Sequence, residues 1–561
     1  MQEKDLSQNR IKEGVLLKIL WLGTILVCLK SIFTDFGFDG AYQLAMTYRH
    51  LTGDRMLLQM WEPHQTSIFL NDLLVGAYRL IVPSLTGVVL WLQVCGTLLY
   101  ALLGYAVYRS LRGVTDPFTG QVIWMFLLVF RAKQTVFPEY ANMELGFSIL
   151  AFCLLLFFFR NQEKWYLPML IGACIFLQTL SYPSCVLSAV AVVVLFFLKT
   201  KAKWRNTVLF LGTAAMMGMV WLGYFLIRMG TADFLLAVKN IFLADSHSST
   251  RFDGYWRGFL VMAVAVLGCI ALAMLCRKLF GPLQRFSLGT VSAGAFLILE
   301  IVMLVLERKT QLGWTCSIYF LPVPLLLLSA WGCRKATQEE KTAWQTGVYL
   351  SAASFAATLA LTNLGMITIT AYLVLGAAVS FLTLRHLFKD DRCVIILLLL
   401  LVLVHRGLVI WGMGNMNGRV QMVWEVQNVI RGGPAVGVVC DHLNKEVERI
   451  NLLEFPQLFH ERDRVLFVGE ELINPLIYLY SDAQISNYST IDTPQYNECL
   501  EEYYKLNPDK EPTVVAVSSW FGNATVPEDT WIMQWVNARY ELTMDASYFR
   551  IYRKLDGQGA Q

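Results

Sequence analysis

Charge is scarce in this chain: Asp, Glu, Lys and Arg make up 16% of 561 residues, where a soluble globular protein carries roughly 25%. With mean hydropathy at +0.50, that deficit excludes an ordinary soluble enzyme. The low hydrophobicity that disorder requires is also missing, because 56% of the residues are hydrophobic. Alternation of polar and apolar residues, the mark of a membrane β-barrel, gives way to unbroken apolar runs. No CxxC pair and no Cys/His cluster with zinc spacing occurs among the 12 cysteines. Most of them lie in apolar runs and read as small buried hydrophobes. The net charge of +4 is spread along the chain, which argues against a nucleic-acid partner.

What is present is a series of apolar runs near the ~20 residues that cross a bilayer. Thirteen are found, at about 14–33, 84–107, 118–137, 144–159, 166–181, 184–198, 206–227, 257–276, 287–306, 316–332, 344–362, 365–384 and 394–413. They predict an α-helical polytopic membrane protein with a transmembrane domain over 1–413. With the N-terminus in the cytoplasm, every inner segment holds at least two Lys or Arg, while the short outer segments 138–143, 182–183 and 363–364 hold none. That is the bias expected of a protein in the cytoplasmic membrane. An odd number of spans then places residues 414–561 outside.

The tail 414–561 has ordinary charge and short apolar stretches. Residues 435–440, 465–468, 513–517 and 548–552 read as strands, with helical patterns at about 441–460, 494–506 and 529–538 between them. This alternation predicts a small extracytoplasmic α/β domain. It contains no GxGxxG after a strand, no P-loop and no nucleophile elbow. The tail therefore reads as a domain that binds or positions something. Cys440 and Cys499 are its only cysteines, and the sequence leaves their pairing open.

The first outer loop, 34–83, carries the most information. It reads Thr34-Asp35-Phe36-Gly37-Phe38-Asp39-Gly40-Ala41-Tyr42-Gln43, then a helical run to Leu51, then Trp61-Glu62-Pro63-His64-Gln65 and a second amphipathic helix over about 67–82. Two short helices between spans would lie along the membrane face. Asp39 closely follows the first span, where partial desolvation would raise a carboxyl pKa and suit it to general-base work. An equally plain reading makes Asp39 the N-cap of the following helix.

Phe38-Asp39-Gly40-Ala41-Tyr42, the Gly53-Asp54 pair and Trp61-Glu62-Pro63-His64-Gln65, in this layout, resemble the GT-C superfamily of integral membrane glycosyltransferases. That group includes protein O-mannosyltransferases, lipid A aminoarabinose transferases and oligosaccharyltransferases. In architecture the resemblance spans the chain; in motif it covers little more than residues 34–75. It departs from the mannosyltransferases, which carry adjacent Asp-Glu where Gly40 follows Asp39. The Trp-Trp-Asp-Tyr-Gly signature of oligosaccharyltransferases is absent from the tail.

The resemblance implies an inverting transfer from a polyprenyl-phosphate sugar to a glycan, lipid or protein acceptor on the outer face, in cell-envelope glycan or glycoconjugate synthesis. It implies Asp39 and Glu62 as catalytic residues. It also implies a possible divalent metal held by Glu62 and His247, against the plain reading of surface histidines. Substrate or lipid-phosphate contacts are expected from His64, Gln65, Arg131, Lys133, Glu139, Arg251 and Arg406. The charges at 131–144 read equally as a cluster capping the next span, and Arg406 as a side chain snorkelling to the interface. A transporter or flippase for a lipid-linked sugar, or a non-catalytic assembly subunit, stays open beside the transferase.

Overall fold

The computed structural model describes residues 2–244, 253–310, 314–361, 369–411, 421–469, 475–490, 498–521 and 523–555. The chain is an α-helical polytopic membrane protein with a small sheet domain at its C-terminal end. Among the described residues, six helices are long and apolar enough to cross a membrane: Gly14–Thr34, Val88–Ser110, Tyr140–Arg160, Lys203–Met229, Phe259–Leu279 and Leu288–Glu307. Among the described residues the apolar runs lie largely on helix, several of them in shorter pieces.

Two runs differ from expectation, each for a local reason. Run 118–137 does not continue as one helix. It stops at Val129, where Phe130 turns to extended backbone, and the following residues form a compact loop. Arg131, Lys133, Gln134 and Pro138 make this stretch a poor continuation of an apolar helix. Run 316–332 begins as a 3-10 turn, and its α-helix starts only at Pro322, a position where the missing N–H of proline costs nothing.

Four helices frame the candidate site. Helix α1 (Gln2–Thr34) leads into α2 (Phe38–Leu51), and α3 (Phe69–Ile81) closes the first loop before α4 (Val88–Ser110). Beyond them, α5 (Pro117–Val129) and α6 (Tyr140–Arg160) are joined by the 130–139 loop. Two glycines allow this loop to press inward. A Cβ at Gly96 would fall 2.0 Å from the Val136 carbonyl oxygen, and one at Gly40 would meet the rings of Phe36 and Phe137 at 3.0 and 3.2 Å. Gly40 thus occupies a point of close approach where a larger residue would push the loop away from α2.

The strands are β1 (Val409–Ile410), β2 (Gln421–Met422), β3 (Asn428–Val429), β4 (Val439–Cys440), β5 (Arg464–Val468), β6 (Gln484–Ile485), β7 (Val514–Trp520), β8 (Asn523–Ala524), β9 (Tyr540–Asp545) and β10 (Phe549–Lys554). The main sheet runs β6-β5-β7-β10-β9, with β8 added to β7. It is mixed: β5 pairs parallel with β6 and β7, whereas β10 pairs antiparallel with β7 and β9. Helices His442–Leu458, Glu498–Leu506 and Trp531–Asn537 accompany it, which gives the expected α/β domain. Cys440 is buried and makes no disulfide.

The sheet domain shares its apolar cores with the first loop. Phe36, Ala41, Leu44 and Val75 cluster with Phe455, Phe467 and Leu476. Leu57 and Trp61 cluster with Tyr488, Tyr503 and Trp535. Burying a large apolar side chain stabilises by roughly 1.5–3 kcal/mol, so these shared residues bind loop and tail into one packed unit.

Candidate functional site

Asp39 stands in the first turn of α2 but does not cap it. The cap position is Gly37, which makes no side-chain bond to the helix. The Asp39 carboxylate turns toward the 130–139 loop. Lys133 Nζ lies 3.0 Å from Oδ2, and the Tyr140 hydroxyl donates to Oδ1 at 3.0 Å. Lys133 also donates to the Tyr140 hydroxyl and sits 4.2 Å above its ring. The Asp39 side chain keeps about a third of its surface exposed (33%), so the anion remains reachable.

The acidity of this carboxyl is the reverse of the expectation from desolvation. Burial does push its pKa up. The Lys133 ammonium, the hydrogen bonds from Lys133 and Tyr140, and nearby His64 together outweigh burial and hold it below the usual carboxylate range. His64 packs its ring on Tyr140 at 3.9 Å with an 11° tilt and on Tyr182 at 5.0 Å. Of the Trp61–Gln65 motif, only His64 is placed beside Asp39.

The loop that carries Lys133 is strained. Lys133 and Gln134 have φ values of 50° and 55°, two consecutive non-glycine residues in the left-handed region. Between Val129 and Glu139 it also carries Arg131, which is almost fully buried. The Arg131 Nε donates to the Leu128 carbonyl at 3.0 Å and the guanidinium lies 4.5 Å over the Tyr100 ring. Both of its Nη atoms are buried without a hydrogen-bond partner among the described residues.

Arg406 is not a snorkelling side chain. Its Nη2 donates to Asp35 at 2.6 Å and to Ser31 at 3.3 Å, inside the protein. Lys30 adds a second ion pair to Asp35 at 3.1 Å. Burial raises the Asp35 pKa, but Lys30 and Arg406 dominate and hold it low. The Nε and Nη1 of Arg406 have no partner among the described residues, and the charges of Arg406 and Asp35 reach Arg131. Asp35 and Lys30 escaped sequence reasoning. Asp35 directly follows the first span, which was the available signal.

Glu139 is the N-cap of α6. Its carboxylate accepts from the backbone N–H groups of Ala141 and Asn142 at 2.8 and 2.9 Å. Burial, with the Asp39 charge adding to it, pushes its pKa up to about 7 against the pull of Lys133 and the two N–H groups.

Glu62 and Gln65, expected at the reacting centre, are taken up in joining the first loop to the tail. Glu62 is fully buried. Its Oε1 accepts from Thr490 N at 2.6 Å and lies 3.4 Å from Arg49 Nη1, and its Oε2 accepts from Ser489 Oγ at 2.8 Å. Burial raises its pKa against the pull of Arg49, Ser489 and Thr490. Gln65 accepts from Leu57 N and donates to the Glu62 carbonyl. Arg49 also bonds Asp54 at 2.8 Å, and Lys510 of the tail reaches the other Asp54 oxygen. Trp61 N donates to the Tyr488 carbonyl at 2.8 Å.

The residues present do not fit a metal at Glu62, because both of its oxygens are committed to protein donors. No three of His, Cys, Asp or Glu come together among the described residues. His247 and Arg251 lie outside the described residues.

No protein-family model matches the chain, and no curated protein does. The fold is similar to that of the Archaeoglobus fulgidus oligosaccharyltransferase complexed with Zn and sulfate, at 11% identity and a TM-score of 0.45, covering 89% of this chain and 68% of that one. It is also similar to ArnT from Cupriavidus metallidurans in the apo state, at 12% identity and a TM-score of 0.42, covering 99% and 100%. Likenesses of this depth assign no residue a role.

Proposed function

We propose that this protein is a membrane glycosyltransferase of the GT-C type, moving a sugar from a polyprenyl-phosphate donor to an acceptor hydroxyl on the extracytoplasmic face. The observation that carries this reading is the Asp39 carboxylate, partly exposed at the start of α2 and held by Lys133 and Tyr140. Two residues before Lys133, Arg131 offers two buried donors with no partner among the described residues.

In this reading Asp39 takes the proton from the acceptor hydroxyl as its oxygen attacks the anomeric carbon. The bond from that carbon to the phosphate oxygen breaks, and its electron pair leaves on the polyprenyl phosphate. Arg131 and Arg406 hold the leaving phosphate through their unpaired N–H groups. Lys133 stands between the two halves of the reaction. An arriving phosphate competes for its ammonium, which loosens its hold on Asp39 and makes the carboxylate more basic when the acceptor must lose its proton. His64 and Tyr182 supply a flat aromatic wall beside the carboxylate.

Purified protein incubated with radiolabelled polyprenyl-phosphate sugars and a cell-envelope acceptor fraction tests this. Release of polyprenyl phosphate that depends on Asp39 supports transfer; release unchanged in Asp39→Asn would remove the base. A second reading, movement of the intact donor across the bilayer, draws on one observation. His405 and Glu300 form a buried pair at 2.6 Å within the membrane helices, with Trp314 on the other Glu300 oxygen, and paired ionisable groups at such depth mark transport pathways. Movement of labelled donor into liposomes without release of polyprenyl phosphate would favour that reading.

A further inference from the structure

The 130–139 loop contains one more residue whose chemistry is unmet. Gln134 is fully buried, yet neither its Oε1 nor its Nε2 has a hydrogen-bond partner among the described residues. A buried amide with both ends open is destabilising, and so is its left-handed backbone at φ 55°. It directly follows Lys133, the residue that grips Asp39. A second open amide lies on α2 one turn beyond Asp39, on the same helix face. There Gln43 accepts from Ser67 Oγ at 2.9 Å through Oε1, while its buried Nε2 has no partner among the described residues. Two open amides thus lie on the two segments that build the Asp39–Lys133–Tyr140 group, one next to Lys133 in the chain and one a helix turn from Asp39.

We infer that Gln134, assisted by Gln43, is the specificity-determining element of this site and reads hydroxyl groups of a neutral sugar on the lipid-phosphate donor. This rests on the proposed function and names the substrate class of that same site. The loop divides the labour by chemistry. Arg131 is a cation suited to phosphate, Lys133 serves the carboxylate, and Gln134 offers one neutral donor and one neutral acceptor. A hydroxyl is itself both donor and acceptor, so it satisfies an amide at either end. A carboxylate or ammonium on the sugar would leave one amide end facing a like partner. Such a site rejects an analogue lacking the matching hydroxyl, because the amide is again left unpaired.

The test measures binding. Short-chain polyprenyl-phosphate glucose, mannose and galactose, each with its set of mono-deoxy analogues, are titrated against the detergent-purified full chain. All of these probes carry the same phosphate charge, so electrostatics cancel. The wild type should bind one hexosyl lipid about ten- to a hundred-fold more tightly than one of its deoxy analogues. Gln134→Met keeps the side-chain length and removes both polar atoms. It should bring the parent lipid down to the affinity of that deoxy analogue and leave the analogue itself unchanged, with thermal stability equal to or above wild type. Gln134→Leu is a second variant with the same expectation should the first fail to accumulate. Equal discrimination in wild type and variant would overturn the inference, as would equal loss for parent and analogue, or no discrimination in the wild type. Discriminating binding without any transfer would count against the proposed reaction and leave this inference standing.

Discussion

Burial alone would raise the Asp39 pKa, and Lys133, 3.0 Å from Oδ2, reverses the direction. The base is therefore ionised well into acid. Asp39→Asn should cut turnover by roughly 100- to 10,000-fold, the usual worth of a positioned general base, while the detergent-extracted protein keeps a near-normal yield. Because Gly37 occupies the cap position, Asp39→Ala should lose no capping bond, so Ala and Asn should behave alike in stability. Lys133→Met removes the charge that holds the carboxyl down. Its rate profile should lose activity on the acid side at a higher pH than wild type, since more of Asp39 is then protonated there. An acid limb that does not move would mean Lys133 leaves Asp39 unaffected. A separate titration belongs to the tail. Glu448 is buried with the Tyr480 hydroxyl as its partner, and burial pushes its pKa up to about 7. Unfolded, the same group titrates near 4.3. Below that value both states hold the proton and its contribution to stability is fully present; as pH rises toward 7 the unfolded chain releases the proton first, and stability falls. The loss is on the order of 3 kcal/mol across that window. Glu448→Gln should flatten this part of the melting temperature against pH, measured as the difference from wild type between pH 4.5 and 8.

Residues 54–62 of the first loop behave as part of the tail. Trp61 enters the aromatic cluster of Tyr488 and Tyr503, at 5.9 and 5.1 Å between ring centroids. Arg49 meanwhile ties Asp54 and Glu62 together beneath it. Removing one member of a buried ionic group costs about 3–5 kcal/mol. Arg49→Met should therefore lower the melting temperature sharply and, by loosening the loop that carries Asp39, reduce turnover as well. A variant that melts like wild type would show that the Lys510–Asp54 pair suffices. The strands centred on residues 466, 515 and 551 were legible, because each is a short apolar stretch bounded by turns. Strand β9 was not. Its residues are exposed on both sides after Tyr540, so the chain shows no alternation there. The end of α5 at Val129 did carry a signal that the run 118–137 passed over, because Arg131, Lys133 and Gln134 follow Phe130 directly.

For the whole molecule, the Lys and Arg content of the inner segments makes a directional prediction. A cysteine replacing exposed Glu541 in β9 should react with a membrane-impermeant maleimide on intact cells, measured against the parent chain. One replacing exposed Lys335 should react only after lysis. The opposite pattern would invert the topology. The sequence by itself determined the helical membrane architecture, the α/β tail, and Asp39 as an acid close after the first span. Hydropathy runs, charge bias and strand alternation are local along the chain and need no knowledge of contacts. Only the tertiary structure decided which charges face one another. Glu62 and His64 are two residues apart, yet one is sealed against Ser489 and Thr490 and the other lies on Tyr140. Asp39 and Lys133, 94 positions apart, form a single group. Such pairings depend on how helices and loops pack, and packing is set by shape and burial summed over many residues, which no short stretch of sequence contains.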